Sequence, residues 1–275
     1  MAIVLGIDVG GSATKICGFN EKKELISPQY VRADDPVSSV YGAFGKFASQ
    51  NSLSLSEIEK VMITGVGSSF IGADLYGIPT CHVQEFDSIG RGGNYLAGLD
   101  EAVVVSMGTG TALVHTTGER SEYLGGTGVG GGTIKGLART LLGVTDIPHL
   151  DSLAKKGDLS KVDLRIGDIS RKNLSPSLFP DTTAANFGKL SDLAEKEDLA
   201  LGILNLVFET IGMMSVFAAR KYDCKNIVIT GALSLMDHAK EVFARLGKMF
   251  DLNFIFPENS RFGTVIGAAL LHFQK

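Results

Sequence analysis

Two glycine turns, each following a short apolar run, carry side chains that could bind phosphate groups. The first turn, Asp8 to Lys15, reads Asp-Val-Gly-Gly-Ser-Ala-Thr-Lys, and the second, Ser106 to Thr111, reads Ser-Met-Gly-Thr-Gly-Thr. A glycine hairpin offers backbone N–H groups to phosphate oxygens, and a lysine beside it adds a positive charge. Asp8 is a carboxylate of the kind that holds Mg²⁺ directly or through water. Either turn alone could be an ordinary β-hairpin, but together they predict one hairpin on each side of a polyphosphate.

A carboxylate that could act as a general base lies in the segment Gln84-Glu-Phe-Asp, which opens a predicted helix. Either Glu85 or Asp87 could accept the proton of a substrate hydroxyl. That role suits phosphoryl transfer, which needs an oriented nucleophile and stabilised charge more than covalent chemistry. Acidic residues also favour a helix N-terminus for electrostatic reasons alone. The residues by themselves therefore leave both roles open.

Two further glycine segments could contact a nucleotide. The stretch Gly125 to Gly132 precedes a predicted helix, Thr133 to Leu142, and a helix N-terminus attracts anions. We expect a flexible loop there. It lacks the Gly-Lys-Ser/Thr of a P-loop and the distant acidic residue of a dinucleotide fingerprint. The turn at Gly231, after a predicted strand Ile227 to Thr230, would let an adenosine ring lie against the backbone, although an ordinary strand–turn–helix joint fits equally well.

The elements that must position these turns occur in two similar rounds. Each round opens with an apolar strand, a glycine turn carrying Ser or Thr, and a second strand, beginning at Ile3 and near Ala102. This internal duplication predicts an α/β fold of two similar lobes, with ligands in the cleft at the carboxyl ends of the strands. We place the N-terminal lobe at residues 1–98 and the C-terminal lobe at residues 99–275. The closing helix, Phe262 to Phe273, contains Gly263 and Gly267, which allow another element to approach closely.

The composition excludes several classes of protein. The 275 residues are 44% apolar and 20% charged with a net charge of −4, which argues against a nucleic-acid or membrane-surface partner. The three cysteines are far apart, and no Cys/His pair has zinc-ligand spacing, so we expect free thiols in a reducing compartment. The stretch Leu199 to Tyr222 predicts one long helix. Asn205 and Glu209 interrupt its apolar run, so we expect a helix buried in the protein rather than one that spans a membrane. The N-terminus lacks the basic region of a signal peptide, so we expect a cytoplasmic protein.

The two hairpins and the late Thr-Gly-Ala turn resemble the phosphate and adenosine motifs of the actin-like ATPase and sugar kinase superfamily. Within it, the chain most resembles the type II pantothenate kinases. Three stretches carry this narrower resemblance: Val83 to Asp87, Gly125 to Leu137, and Thr182 to Gly188, which reads Thr-Thr-Ala-Ala-Asn-Phe-Gly. Glu258-Asn259 and Gly267-Ala268 also fit, so the resemblance extends from Ile3 to Leu271.

The resemblance implies an actin-like, ribonuclease H-like duplicated fold with an ATP cleft between its lobes. It implies a homodimer whose long helices pack together, with Leu199 to Tyr222 supplying that surface. ATP and Mg²⁺ are the implied cofactors and pantothenate the implied acceptor, with Glu85 as general base and Asp8 associated with the metal. The residues then expected at the ATP are Gly10, Gly11, Ser12, Lys15, Gly108, Thr109, Gly110, Gly130, Gly131, Gly132 and Gly231. Those expected at the acceptor are Glu85, Thr109, Thr111, Tyr123 and Gly125.

One position departs from the family pattern. The family has an acceptor-contacting arginine in an Arg-Val-Gly-Gly context, where this sequence reads Tyr123-Leu-Gly-Gly. A tyrosine cannot make the bidentate, charge-assisted contacts of a guanidinium. Arg120 lies three residues earlier, but a different point along a strand directs its side chain elsewhere. A kinase for another small hydroxyl compound, such as a sugar or a pantothenate-like amide, and a nucleotide-binding regulator without an acceptor therefore stay open as alternatives.

Overall fold

The structure is a computed structural model that describes residues 2–32, 35–170 and 179–274. The strands are β1 (Ile3–Val9), β2 (Thr14–Phe19), β3 (Leu25–Val31), β4 (Ile58–Thr64), β5 (Thr80–His82), β6 (Glu101–Met107), β7 (Thr111–Thr117), β8 (Arg120–Thr127), β9 (Leu164–Arg165), β10 (Thr183–Ala185), β11 (Asn226–Thr230) and β12 (Asn253–Ile255). The α-helices are α1 (Pro36–Gln50), α2 (Glu85–Ala97), α3 (Gly131–Leu142), α4 (Ile147–Ala154), α5 (Ile166–Ile169), α6 (Lys196–Lys221), α7 (Asp237–Phe250) and α8 (Gly263–Leu270). Short 3₁₀ helices join several of them.

The two large sheets share one topology. The first is five-stranded in the order β3-β2-β1-β4-β5, and the second is five-stranded in the order β12-β11-β6-β7-β8. In each sheet the first three strands in sequence pair antiparallel and the last two pair parallel. The predicted duplication and the two-lobe α/β fold are therefore confirmed.

Side chains on the two faces of β1 pack against different helices. Successive side chains of a strand point to opposite faces. Ile3, Leu5 and Ile7 are buried in a cluster with Phe44 and Phe47 of α1. On the other face, Gly6 lies against α8, where an added Cβ would be 2.3 Å from the carbonyl oxygen of Val265. Apolar runs such as β1 are continuous because both faces of these strands are covered.

Helices α2 and α8 each pack against the sheet of the other lobe. Helix α8 follows the second sheet in sequence but packs against β1, β2 and β4, whereas α2 follows the first sheet but packs against β6, β7 and β8. The two helices cross at glycines: a Cβ on Gly92 would lie 1.8 Å from the carbonyl oxygen of Gly263, and one on Gly267 would lie 1.8 Å from that of Ser88. The close approach predicted for Gly263 and Gly267 is thus the contact with α2. The division of the lobes after residue 98 stays a prediction.

The glycine-rich stretch is more ordered than predicted. Gly125 and Gly126 belong to β8, paired with Leu113 and Ala112 of β7, and α3 already begins at Gly131. The expected flexible loop from Gly125 to Gly132 is therefore wrong as a description of the whole stretch. Pairing with β7 supplies the backbone hydrogen bonds that a loop would have left to solvent or ligand.

Helix α6 is buried, as predicted. Over an 18-residue window its mean hydropathy is 1.8, so by length and composition it could span a membrane, but 61% of that window is buried inside the protein. It packs against α3, α4 and α7 and contributes Ile203, Val207, Phe208 and Ile211 to the largest apolar cluster. This is the environment of a core helix in the second lobe.

Candidate active site

The first hairpin places a buried carboxylate next to a lysine. Asp8 and Lys15 are directly opposite each other on β1 and β2, and their side chains form an ion pair of 2.8 Å. Asp8 is only 4% exposed. Gly65, which follows β4 with a φ of +91°, makes room for it, because a Cβ there would lie 2.7 Å from Asp8 Oδ1. The hairpin therefore fixes one negative and one positive group at the end of the strand.

The second hairpin is braced by the start of α3. The N–H groups of Gly131 and Gly132 donate to the carbonyl oxygens of Gly108 and Thr109 at 2.9 and 2.8 Å. The N–H of Gly130 donates to the Thr133 hydroxyl at 3.2 Å. These three amides are thus engaged within the protein. What the glycines provide is space, since a Cβ on Gly130 would lie 2.7 Å from the carbonyl oxygen of Thr109.

The tips of the two hairpins face each other across the cleft. A Cβ built on Gly11 would lie 3.9 Å from Thr109 Oγ1, so residues of both lobes border the same space. Within the described residues, the N–H groups of Gly11, Ser12, Thr109 and Gly110 make no hydrogen bond. Unpaired backbone amides of this kind form concave anion sites. The arrangement can therefore hold a polyphosphate between the lobes.

The turn at Gly231 lies beside the second hairpin. Its φ is +90°, and a Cβ would approach the carbonyl oxygen of Met107 to 2.4 Å, so only glycine fits here without strain. Its N–H donates to Ser260 at 2.9 Å, and the hydroxyls of Ser234 and Ser260 are 2.7 Å apart. These contacts put the turn against the end of β6, at the same edge as Gly108.

Glu85 is the first residue of α2 and projects from the edge where β4 and β5 end. The N–H of Val83 continues the parallel pairing by donating to Ile63 at 2.9 Å, and the Thr64 hydroxyl donates to the Val83 carbonyl at 3.0 Å. Burial raises the pKa of the Glu85 carboxyl, the charge of Asp8 raises it further, and Lys15 opposes the rise. Glu85 therefore lies close enough to the first hairpin to interact with both of its charges.

The Glu85 carboxylate has no partner among the described residues. No hydrogen bond or ion pair joins it to any residue of the described ranges. A half-buried carboxylate with a raised pKa and no partner can accept a proton from a bound hydroxyl. Asp87 is two residues further along the same helix, about 200° around its axis, and faces a different neighbourhood.

Tyr123 stacks on the residue next to Glu85. The rings of Tyr123 and Phe86 are nearly parallel, with centroids 3.7 Å apart and an interplanar angle of 11°. The register of β8 shifts between the partners of Leu113 and Val114, so Tyr123 and Gly126 face α2 together. Arg120, the arginine nearest in sequence to Tyr123, pairs with Thr117 at the other end of the strand and does not replace the family arginine.

The structure brings most of the predicted residues to one cleft. Asp8, Lys15, Gly11 and Thr109 gather around the hairpin tips, with Glu85 beside them. Thr111 donates its hydroxyl to the Val129 carbonyl at 2.9 Å and so shapes the second hairpin. Sequence reasoning missed Gly65, which carries the same signal as the other turns, a glycine directly after an apolar strand. It also missed Phe86. The sequence offers no signal for this residue, because its partner Tyr123 lies far away along the chain.

The donor set fits Mg²⁺. Within residues 2–32, 35–170 and 179–274, no three His, Cys, Asp or Glu side chains form a group able to hold a metal. Mg²⁺ is usually bound through one or two carboxylates together with waters and substrate phosphates, so it needs no such cage. Asp8, at the end of β1 beside the hairpin amides, supplies a carboxylate of this kind.

Comparison with known proteins decides the family. The Fumble family model matches residues 101–249, which is more than half of the chain. The chain belongs to the Fumble family. A curated relative from Staphylococcus aureus (strain USA300), named type II pantothenate kinase, is 29% identical over 279 aligned positions, covering 97% of this chain and 98% of the relative. The resemblance to type II pantothenate kinases is confirmed, as is the prediction of a kinase.

Solved structures confirm the fold of this Fumble family member. The activator of the 2-hydroxyisocaproyl-CoA dehydratase from Clostridium difficile, solved with bound ADPNP, superimposes with a TM-score of 0.69 at 16% identity, covering 98% of this chain and 94% of that one. A ROK family glucokinase from Streptomyces griseus, solved with glucose and AMPPNP, gives a TM-score of 0.57 at 13% identity, covering 98% of both chains. At these identities the likeness shows the actin-like fold alone.

Proposed function

We propose that this protein transfers the terminal phosphate of ATP to the primary hydroxyl of pantothenate, the first step of coenzyme A biosynthesis. The observation that carries this proposal is the position of Glu85, an unpaired carboxylate of raised pKa beside two facing hairpins. The name of the Staphylococcus aureus relative, which covers nearly the whole chain, supplies the acceptor.

In the reaction, Glu85 accepts the proton of the acceptor hydroxyl as its oxygen attacks the γ-phosphorus. The bond from that phosphorus to the bridging oxygen breaks, and ADP leaves with the electron pair. Lys15 and the free amides of Gly11, Ser12 and Thr109 bind the phosphate oxygens and stabilise their charge. Asp8 would hold Mg²⁺, which when bound neutralises charge on the phosphates.

The remaining nucleotide contacts follow from the same placement. Gly10 and Gly110 shape the two hairpin tips, and the Gly108 carbonyl accepts the hydrogen bond from the first residue of α3. Gly130, Gly131 and Gly132 keep the space beside the second hairpin free of side chains, and Gly231 offers its backbone to the adenosine. At the acceptor we place Glu85, Thr109, Thr111, Tyr123 and Gly125.

Assembly, location and lobe boundaries are part of the proposal. Phe217 on α6 is 60% exposed, and Leu141 on the neighbouring α3 is 52% exposed, so apolar surface is available for a second copy along the long helix. We infer a homodimer built there, a cytoplasmic location, and lobes comprising residues 1–98 and 99–275. Free thiols and an acidic net charge support the location.

A second candidate acceptor deserves a test because of Tyr123. A tyrosine stacked on Phe86 leaves no guanidinium at the position where the family pattern has one. The same fold and chemistry could then serve another small hydroxyl compound, such as a sugar or a pantothenate-like amide. A regulator that binds nucleotide without an acceptor would have no use for the unpaired Glu85.

The test measures ADP release by the purified protein with MgATP, with and without pantothenate, alongside sugars and pantothenate amides. We expect pantothenate-dependent turnover. Glu85→Gln should lower kcat by about 10²–10⁴-fold, the usual contribution of a general base. Asp87→Asn is the matched control, a carboxylate-to-amide change in the same helical turn, and should keep most of the activity.

Each other outcome has a definite meaning. Turnover with another acceptor alone would keep the roles of Glu85 and the hairpins and remove pantothenate from the proposal. Full activity in Glu85→Gln together with loss in Asp87→Asn would transfer the role of base to Asp87. Tight ATP binding without acceptor-dependent turnover would contradict the proposal as a whole.

A further inference from the structure

The wall of the cleft next to Glu85 is aromatic. Phe86 follows Glu85 directly on α2, and its ring is covered by that of Tyr123 at a centroid distance of 3.7 Å. Tyr123 nevertheless remains 47% exposed, so part of its side chain is accessible beside the residue that follows Glu85. An acceptor whose hydroxyl reaches Glu85 therefore meets the exposed part of Tyr123 next.

The backbone of β8 directs Tyr123 towards the hairpin. Leu124 is the extra residue where the register shifts, which puts Tyr123 and Gly126 on the same face of the strand. A Cβ on Gly126 would lie 3.0 Å from the Tyr123 hydroxyl oxygen, so glycine at that position provides the space the ring occupies. Within the described residues this hydroxyl makes no hydrogen bond and can bind a ligand.

Among the described residues, no cation makes a hydrogen bond or a ring contact with Tyr123. Lys15 is the cation whose charge acts on Glu85, and it is already paired with Asp8 at 2.8 Å. Arg120 lies at the far end of β8. A carboxylate brought against the ring would lose water without gaining a charged partner, which is unfavourable. A neutral amide or alkyl group would instead gain contact with the ring face.

An exposed aliphatic side chain follows the strand beside the one that leads into Glu85. Val66 is 72% exposed and follows Gly65 at the end of β4, next to the strand that leads into Glu85. Neighbouring strands of a sheet are about 4.8 Å apart, so Val66 and Glu85 leave the same edge close together. Val66 thus adds exposed apolar surface at the edge of the first sheet from which Glu85 projects.

We propose that Tyr123 selects the acceptor, and that this site prefers a primary alcohol whose far end is uncharged over the same alcohol ending in a carboxylate. The proposal rests on the proposed function, because it takes Glu85 as the base that fixes the reacting end. Among pantothenate-like compounds, the neutral amides are then better acceptors than pantothenate itself.

The experiment compares kcat/KM within matched pairs of primary alcohols, each pair consisting of a carboxylate and its N-alkyl amide. One pair is pantothenate and its amide, and the others are hydroxy acids of similar length with their amides. Within every pair that is turned over, the wild-type protein should prefer the amide. The wild-type ratio needs no variant, so it tests the proposal independently of how any variant folds.

Tyr123→Arg should reverse the preference by about tenfold or more in favour of the carboxylate, the effect of one charge-assisted hydrogen bond. Tyr123→Phe keeps the stack and should keep the preference for the amide. Tyr95→Arg is the matched control: the same substitution on a 42% exposed tyrosine of α2, ten residues and about 15 Å from Glu85. It should leave the ratio unchanged.

A wild-type preference for the carboxylate, or a ratio that Tyr123→Arg and Tyr95→Arg change equally, would overturn the role of Tyr123. Turnover of other pairs without the pantothenate pair would overturn the proposed substrate, and the amide preference would then be decided within those pairs. Absence of turnover in every pair would overturn both proposals.

Discussion

The crossing of α2 and α8 gives the sharpest prediction, because it connects packing with the position of the base. Gly267→Ala would place a Cβ 1.8 Å from the carbonyl oxygen of Ser88 and 2.6 Å from the N–H of Gly92. Both are backbone atoms of α2, so neither can rotate away. Ordinary contact begins at 3.4 Å, and the helices must therefore separate by about 1.6 Å.

This displacement reaches the active site. Ser88 is one helical turn from Glu85 and on the same side of α2. A misplacement of about 1 Å in a reacting group can lower a rate by about 10²-fold. We expect Gly267→Ala to lower kcat by about that factor and the free energy of unfolding by about 1–3 kcal/mol, the usual cost of overpacking.

The assay measures kcat at saturating MgATP and acceptor, together with urea unfolding. Gly136→Ala on α3 is the control, because its Cβ would meet nothing within 4 Å. It should keep full activity and gain about 1 kcal/mol from helix propensity. Wild-type kcat and stability in Gly267→Ala would refute the reasoning, and lost stability with full kcat would show that α2 moves without moving Glu85.

Two further predictions concern the carboxylates of Glu85 and Asp163. Because the pKa of the Glu85 carboxyl is raised in the folded state, the protein loses stability as the pH rises from the ordinary glutamate pKa through the folded value. Glu85→Gln should therefore be more stable than wild type at pH 7. In urea titrations below about pH 4 the difference in stability should vanish. Asp163 is fully buried and accepts hydrogen bonds of 2.8 Å from the Phe187 N–H and the Asn205 amide. Asp163→Ala should therefore lower the free energy of unfolding by about 2–4 kcal/mol in the same assay. The control, Asp237→Ala, removes an exposed ion pair and should lower it by less than about 1 kcal/mol.

The strands and their duplication were predictable because the signal is local. The strand predicted to begin at Ile3 is Ile3–Val9, and the strand predicted to begin near Ala102 is Glu101–Met107. Strands covered on both faces form uninterrupted apolar runs, and each ends at a glycine turn that marks its limit. The two hairpins could be matched with each other for the same reason, which gave the two-lobe fold.

Contacts between distant segments could not be predicted in this way. Phe86 and Tyr123 stack although nothing in either local sequence indicates the other. Gly125 and Gly126 resemble loop residues by composition but extend β8, since pairing with β7 overrides their low strand propensity. The ion pair between Asp8 and Lys15 was also missed, although both residues were expected at the phosphates. The register of β1 and β2 puts them directly opposite each other, and that register is not visible in the sequence.

The packing of α8 against the sheet of the other lobe has a consequence for the nascent chain. The Cys17 thiol donates to the Val265 carbonyl across a sequence separation of 248 residues, at the contact that covers one face of the first sheet. At a translation rate of about 5–20 residues per second, the ribosome needs roughly 9–37 s to reach Val265 after it has made His82, the last residue of the first sheet. During this interval one apolar face of the first lobe has no native partner. We expect chaperones to protect it, and the two lobes to complete folding together rather than one after the other.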